Sequence, residues 1–464
     1  MAYRRHWQIR TNLRSLAGVV GFPLPLLGLL GLLVAVLAAP LARGETLLET
    51  YQLAYRNDSK FRAAQADSRA SGTAIDQARA GYLPTVTFGI EKISTRQKIL
   101  SSNNAVFGTG DTTFPTDSKT LSITQPVFRK DVIERFTQAQ AVVRQAGLTL
   151  LASEQELLLR TTSAYLSVLA ATDSLTLAMA EREAVGKALD LASERLKMGL
   201  GTITNQHDAA ARLAVAQARE IEARNKLADA KQGLREITSK LIGAFQSLRP
   251  EFALATPDPA NVERWVETAL EQNLSLRARQ EAVEVARQEV KRQQAGHYPS
   301  VNLVLSHNRR DTGSTLFGGG SNVATTDLTL RLNVPIFEGG LITAVTREAA
   351  YRLERSEAEL ELERRAVERA TRAAYEGTLS GIGLVGALRQ SVTFQESALE
   401  AKDVGLKAGR FTLLAVLDAQ RDLYLAKRDY AQSRYDYLLN VLKLKQAAGT
   451  LAEADLGIVH AALQ

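Results

Sequence analysis

Two periodicities alternate along the chain. Val86, Phe88 and Ile90 interleave with Thr85, Thr87 and Gly89, and Leu121 and Ile123 interleave with Ser122 and Thr124. Further on, Val301, Leu303 and Leu305 share one face, and Leu328, Leu330, Leu332 and Val334 alternate with Thr329, Arg331 and Asn333. One apolar and one polar face at period two predicts four half-buried strands. Within each strand pair, 98–117 and 308–322 are rich in Ser, Thr, Asn, Asp and Gly, which predicts polar loops facing water. The intervening stretches are helical in pattern and very long. No proline interrupts 131–197 or 338–407, and a helix of about 67 residues is a rod of roughly 100 Å. Such a rod buries nothing alone, so it predicts coiled-coil packing. Gly199 and Gly201 in one half, and Gly409 in the other, supply tip turns that fold each rod back onto returning helices at 205–242 and 412–447. Small residues such as Ala209, Ala210, Ala211, Ala214, Ala216 and Ala218 suit close packing between rods, while Glu361, Glu363, Arg364 and Arg365 read as a solvated face.

The pattern occurs twice. Asn57-Asp58-Ser59 leads to Ala80-Gly81-Tyr82-Leu83-Pro84, as Asn273-Leu274-Ser275 leads to Ala295-Gly296-His297-Tyr298-Pro299. Gln125-Pro126-Val127-Phe128 corresponds to Val334-Pro335-Ile336-Phe337, Leu196-Lys197-Met198-Gly199 to Leu406-Lys407-Ala408-Gly409, and Asp208-Ala209 to Asp418-Ala419. The separations stay near 210, between 209 at Pro126 and 216 at Asn57. A tandem duplication accounts for this order. The expected organisation is a first repeat over 45–243, a linker over 244–260 carrying Pro250, Pro257 and Pro259, a second repeat over 261–448 and a tail over 449–464.

Residues 1–44 stand apart. They hold Arg4, Arg5, Arg10, Arg14 and Arg43 and no acid, and Leu16 to Ala39 is uncharged. With Ala42-Arg43-Gly44 behind it, this reads as a secretory signal peptide cleaved after Gly44. A retained anchor is the competing reading, since the apolar run exceeds the roughly 18 residues of a spanning helix; Pro23 and Pro25 interrupt its early half. No later apolar run is expected to span a membrane. The composition changes the picture in two ways. The chain has 57 basic and 50 acidic residues, but setting aside the five leader arginines leaves 52 against 50, so a nucleic-acid reading based on net charge fails. With no cysteine, disulfides, thiol nucleophiles, Cys-ligated metals and a lipid-modified N-terminal cysteine are excluded.

Four strands per chain have a consequence. An open sheet edge in lipid leaves backbone N–H and C=O groups unsatisfied at several kcal/mol each, so spanning strands must close. Roughly eight strands are needed to enclose even packed side chains. Strands of this type therefore require several chains, and three chains give twelve strands and an open lumen.

These residues resemble the TolC family of outer membrane efflux and secretion channels. The resemblance rests on the duplicated unit, the Ala-Gly-x-x-Pro strand entries, Val334-Pro335-Ile336-Phe337-Glu338-Gly339-Gly340, Val416-Leu417-Asp418-Ala419-Gln420 and Gly199-Leu200-Gly201-Thr202-Ile203-Thr204. It covers residues 45–456. It implies a mainly α protein with β: long α-hairpin coiled coils forming a periplasmic α-barrel, and four strands per chain in a shared twelve-stranded β-barrel. It further implies a homotrimer in outer membrane lipid, extending into the periplasm, that docks through a periplasmic adaptor on an inner-membrane ABC or other efflux pump. The run Leu442-Lys443-Leu444-Lys445-Gln446-Ala447-Ala448-Gly449 looks closest to the branch serving type I protein secretion and drug export. No cofactor, enzymatic activity or nucleic-acid partner is implied. The other readings are a periplasmic adaptor, which would carry a single hairpin flanked by β domains, and a structural coiled-coil protein without a pore.

At the tip, the resemblance places Asp418 in a constriction ring, where three carboxylates would focus negative potential. Asp208 is its repeat partner, with helix N-cap as its plainer role, and Thr204 matches a tip threonine. Asn205, Ala415, Leu406 and Phe411 stand where the family has two aspartates, a tyrosine and an arginine; Arg410 lies one position from the last. The polar links of the family's tip are thus expected to be largely absent, replaced by an apolar Leu406/Phe411 seal above one Asp ring. Other apparent motifs have plain readings. Gly381-Ile382-Gly383-Leu384-Val385-Gly386 fits GxGxxG but lies within a rod, where it reads as helix packing or bending. The five histidines show no metal-binding spacing, and His207 reads as a solvated position beside the tip.

Overall fold

The computed structural model describes residues 46–101, 103, 109–315 and 318–463; the leader and its cleavage site lie outside them. The first repeat begins with α1 (Leu47–Asn57), α2 (Ser59–Gly72) and α3 (Ala74–Ala80), followed by β1 (Thr85–Ile99) and β2 (Gly110–Arg129). It continues with α4 (Lys130–Lys197) and α5 (Ile203–Thr238). The second runs α6 (Val262–Gln272), α7 (Leu274–Gln294), β3 (Ser300–Thr312), β4 (Ser321–Asn333), α8 (Leu341–Lys407) and α9 (Leu413–Ala447), and α10 (Leu456–Ala462) ends the tail.

The strands form one antiparallel sheet in the order β1-β2-β3-β4. They extend well into the segments expected to be loops. Ile99 pairs with Gly110 and Thr312 with Ser321, so strand pairing takes up residues at both ends of 98–117 and 308–322. Apart from Ile99, Phe114 and Pro115 the added length is polar, and pairing there relies on backbone hydrogen bonds and on Thr-rich β-propensity, which the apolar pattern does not report. The repeats differ at their prolines. Pro126 stays within β2 at a bulge between Pro126 and Phe128, whereas β4 stops at Asn333, before Pro335, which has no N–H to donate. Val334 is therefore outside the strand.

The α4–α5 and α8–α9 pairs fold as the two hairpins, and α4 packs against α9 to join them; nearer the sheet, α7 sits between α4 and α8. One 18-residue window of α4 is apolar enough to cross a membrane by composition, which the sequence reading did not anticipate. The helix instead contributes Leu157, Leu158, Tyr165, Leu166, Val168 and Leu169 to the main core. That core also takes in Leu47 and Tyr51 of α1, Tyr435, Leu438 and Leu442 of α9, and Val459 and Leu463 of the tail. Linker and tail meet there: Leu248 bridges Leu463, and Arg249 Nε donates to the Leu463 carbonyl at 2.9 Å. The returning helix α5 ends at Thr238, earlier than expected, because Ser239 turns left-handed at φ 57°. In α8, Gly381 is buried against Tyr437, and Gly377 accepts from Asn440 Nδ2 at 3.2 Å, so the glycine run brings α9 close.

Corresponding asparagines tie the short helices to the returning ones. Asn57 Nδ2 donates to the Thr238 carbonyl at 3.2 Å and Asn273 Nδ2 to that of Ala447 at 2.9 Å. Asp58 caps α2 by accepting from the Phe61 amide at 2.7 Å, and its nearly buried carboxylate also takes Arg160 Nη2 at 2.8 Å. Between α7 and α4, burial works to raise the pKa of Glu289, but hydrogen bonds from Arg292, Gln293 and Gln138 outweigh it and hold the group at about 2. A carboxylate depressed in this way stabilises the fold above its ordinary value of about 4.3 and loses that contribution as pH falls towards 2. Glu289→Gln should therefore lower the thermal midpoint at pH 7, and the gap from wild type should close between pH 4 and pH 2. A gap independent of pH would disprove the assignment.

Candidate functional site

Each hairpin turns in the same way. Gly199 and Gly409 adopt φ of 73° and 71°, where a side chain is strained, and close Schellman motifs. The Leu200 amide bonds to the Arg195 carbonyl at 2.8 Å and the Arg410 amide to that of Gly405 at 2.7 Å. Three residues after each glycine, a threonine caps the returning helix: Thr202 Oγ1 accepts from the Asn205 amide at 3.3 Å, and Thr412 Oγ1 from the Ala415 amide at 3.2 Å. The N-cap reading of Asp208 is thereby corrected. It lies half-buried within α5, beyond the first turn, and Thr202 does the capping. Thr204 is exposed in that first turn and Asn205 is half-buried behind it.

The two turns differ in one compensated exchange of size. In the first, a Cβ on Gly201 would meet the Leu196 nitrogen at 3.1 Å and the Arg195 Cβ at 3.2 Å. In the second, Phe411 takes the place of Gly201, and the residue beneath it is Gly405 in place of Arg195. A Cβ on Gly405 would lie 2.3 Å from Phe411 Cδ2, so the ring rests directly on the bare backbone. Phe411 remains 47% exposed. Leu406 instead turns into the cluster formed by Val185, Ala188, Ala192, Ala209, Leu413 and Leu417, which locks the hairpins together near the tip. Within one chain, then, Leu406 and Phe411 do not form a single surface.

A polar link is present at the tip that involves none of the positions where the family's links are absent. Arg212 Nη2 on α5 reaches Asp418 Oδ1 on α9 at 2.5 Å, crossing between the hairpins. Arg421 lies 3.6 Å from the same carboxylate and 2.7 Å from Asp422. Asp418 is thus countered within its own chain. Arg410 is exposed beside Phe411, and His207 is exposed beside Asp208. Arg212 went unnoticed because its repeat partner is Asp422, so no shared letter marks it; Thr202 and Thr412 were detectable, being identical residues 210 apart. Among the described residues, no three His, Asp or Glu side chains gather closely enough to hold a metal ion.

Comparison with known proteins gives a consistent picture. The sequence profile of the family described as "Outer membrane efflux protein" matches residues 50–240 and 265–450, one match on each repeat. The outer membrane protein TolC of Vibrio cholerae is 32% identical over 426 residues, covering 90% of this chain and 94% of that protein. The alkaline protease secretion protein AprF of Pseudomonas aeruginosa is 30% identical over 421 residues, covering 89% and 86%. Among solved structures, the CmeC outer membrane channel of Campylobacter jejuni superposes with a TM-score of 0.76 at 13% identity, covering 90% of this chain and 89% of that one; it shares the fold.

Proposed function

Since the chain belongs to the outer membrane efflux protein family, we propose that it acts as a homotrimeric duct, closed at its hairpin tips and joined there to a periplasmic adaptor and an inner-membrane pump. It is an outer membrane channel protein for efflux or type I secretion, and its relatives are transport channels, not enzymes. The similarity to a protease secretion protein favours protein as a cargo.

The observation that carries the three-chain reading is the pair of open sheet edges. β1 and β4 each pair on one side only, and every residue of β4 is exposed in a single chain. Phe88, Leu328 and Leu332, at 64%, 70% and 63% exposure, need lipid on one side, while the edges need another strand. Identical copies supply both edges at once. An adaptor with one hairpin, or a coiled coil without a pore, leaves this sheet unexplained. Conductance of the purified protein in planar bilayers, with chemical crosslinking, tests the reading. Trimers with a defined conductance are expected; a non-conducting monomer would refute it.

The tip supplies a second test. Gly405→Ala should displace the Phe411 ring, and Phe411→Ala should remove it. Both should raise the single-channel conductance of the closed state severalfold if that ring narrows the opening. Arg212→Ala should uncouple the hairpins and act in the same direction, through release of Asp418. Conductance equal to wild type in all three variants would remove these residues from the gate.

A further inference from the structure

The outward face of the sheet carries a charge pattern that closure does not require. On this face the apolar rows run Phe128/Val301/Leu332, Gln125/Leu303/Leu330, Val86/Ile123/Leu305/Leu328 and Phe88/Leu121/His307/Thr326. The next row, on the side of the strand turns and away from the helices, is Ile90/Lys119/Arg309/Ala324. Lys119 and Arg309 are direct register partners, both exposed. Lys92 follows diagonally on β1. From Val301 to Arg309 is eight residues, about 27 Å along the strand and about 20 Å along the barrel axis at the usual tilt. The cations therefore sit where an apolar band of about 25 Å gives way to headgroups.

Like charges directly opposed across strands are destabilising, and this pair is left unneutralised. Among the described residues, neither Lys119 nor Arg309 forms an ion pair. Arg309 Nε donates to neutral Asn322 Oδ1 at 3.1 Å, and Asn322 in turn donates to Asp311 Oδ2 at 3.0 Å. Asp117 and Asp311 lie in the following row, again opposite each other, beside Lys92; Arg96 is taken up by Asp111 at 2.7 Å. His307, one row nearer the lipid, is bonded to Thr326 at 2.8 Å. An ammonium and a guanidinium side by side at an apolar boundary match a phosphate monoester whose acyl chains lie along the leucines below.

We propose that Lys119 and Arg309, assisted by Lys92, form a binding site for the phosphate monoester of an anionic lipid in the outward leaflet. The site rests on the membrane-spanning reading of the sheet and adds to it a specific lipid. The lipid phosphate would neutralise the opposed cations and fix the height of the barrel in the bilayer.

Native mass spectrometry of the detergent-purified assembly tests this with bis-phosphorylated lipid A, its fully dephosphorylated form and inorganic phosphate as probes. The wild type should retain the phosphorylated lipid at least about tenfold more tightly than the dephosphorylated one, the scale of one charge-assisted hydrogen bond. Inorganic phosphate at equal concentration should not displace it. Lys119→Gln/Arg309→Gln should abolish the preference while bilayer conductance persists, and Lys119→Arg/Arg309→Lys should restore it. Arg310→Gln, on the opposite face, should leave it intact. A preference that survives in the double Gln variant, equal retention of both lipids by the wild type, or displacement by inorganic phosphate would overturn the proposal. Absence of conductance in the wild type would instead refute the channel reading.

Discussion

Leu328→Arg should eliminate the proposed trimer and shift the protein out of the outer membrane fraction. Leu328 is 70% exposed in one chain and pairs with Leu305 in the middle of the apolar rows. A cationic side chain facing lipid at that depth costs about 2–4 kcal/mol, and a three-chain barrel would carry it three times, or about 6–12 kcal/mol if the sites act independently. That sum rivals the whole stability of an ordinary folded domain. The next residue supplies the control: Thr329 points to the other face of the sheet, so Thr329→Arg should assemble normally. Semi-native gel electrophoresis of membrane fractions reads the difference. Equal oligomer in both variants would mean that the leucine face does not meet lipid.

The second large effect is expected at Gly449. This residue ends α9 with φ of 76°, and a Cβ there would lie 2.4 Å from the Gln272 carbonyl oxygen and 2.7 Å from the Asn273 nitrogen. Both obstacles are backbone, at the junction where Asn273 ties α7 to α9. Gly449→Ala should therefore cost the left-handed strain, about 1–2 kcal/mol, and a further 1–3 kcal/mol or so for overpacking. Gly409 separates the two contributions. Its φ is similar at 71°, but a Cβ there meets nothing within 4 Å, so Gly409→Ala should show the strain alone. Denaturation midpoints of the solubilised protein compare the two. A Gly409→Ala variant as damaged as Gly449→Ala would show that the contact at Gln272 is irrelevant.

The long-range order was readable because duplication wrote it twice. The rods, the glycine turns and four strands follow from periodicity and from residues about 210 apart. Strand ends were not readable, since residues 110–117 pair through backbone groups beneath mostly polar side chains, with Gly110 and Pro115 among them, that look like a loop. At the tip, the turn glycines were recognisable by their required φ. The Gly405/Phe411 contact was not, because it joins a residue with no side chain to one six positions later. Nor was the Arg212–Asp418 pair, which crosses 206 residues and has no counterpart in the other half of the repeat.

The exchange of Arg195 and Gly201 for Gly405 and Phe411 also bears on whatever sits against the tips. Six hairpin ends from three chains would look alike in backbone trace yet alternate between a bare turn and an aromatic one. A partner offering equal contacts around such a ring would meet two kinds of seat in alternation, so those contacts would have to tolerate both or divide into two classes. Phe411→Gly with Gly405→Arg would make all six seats alike, and the change in partner affinity would then report which kind of seat had been the stronger.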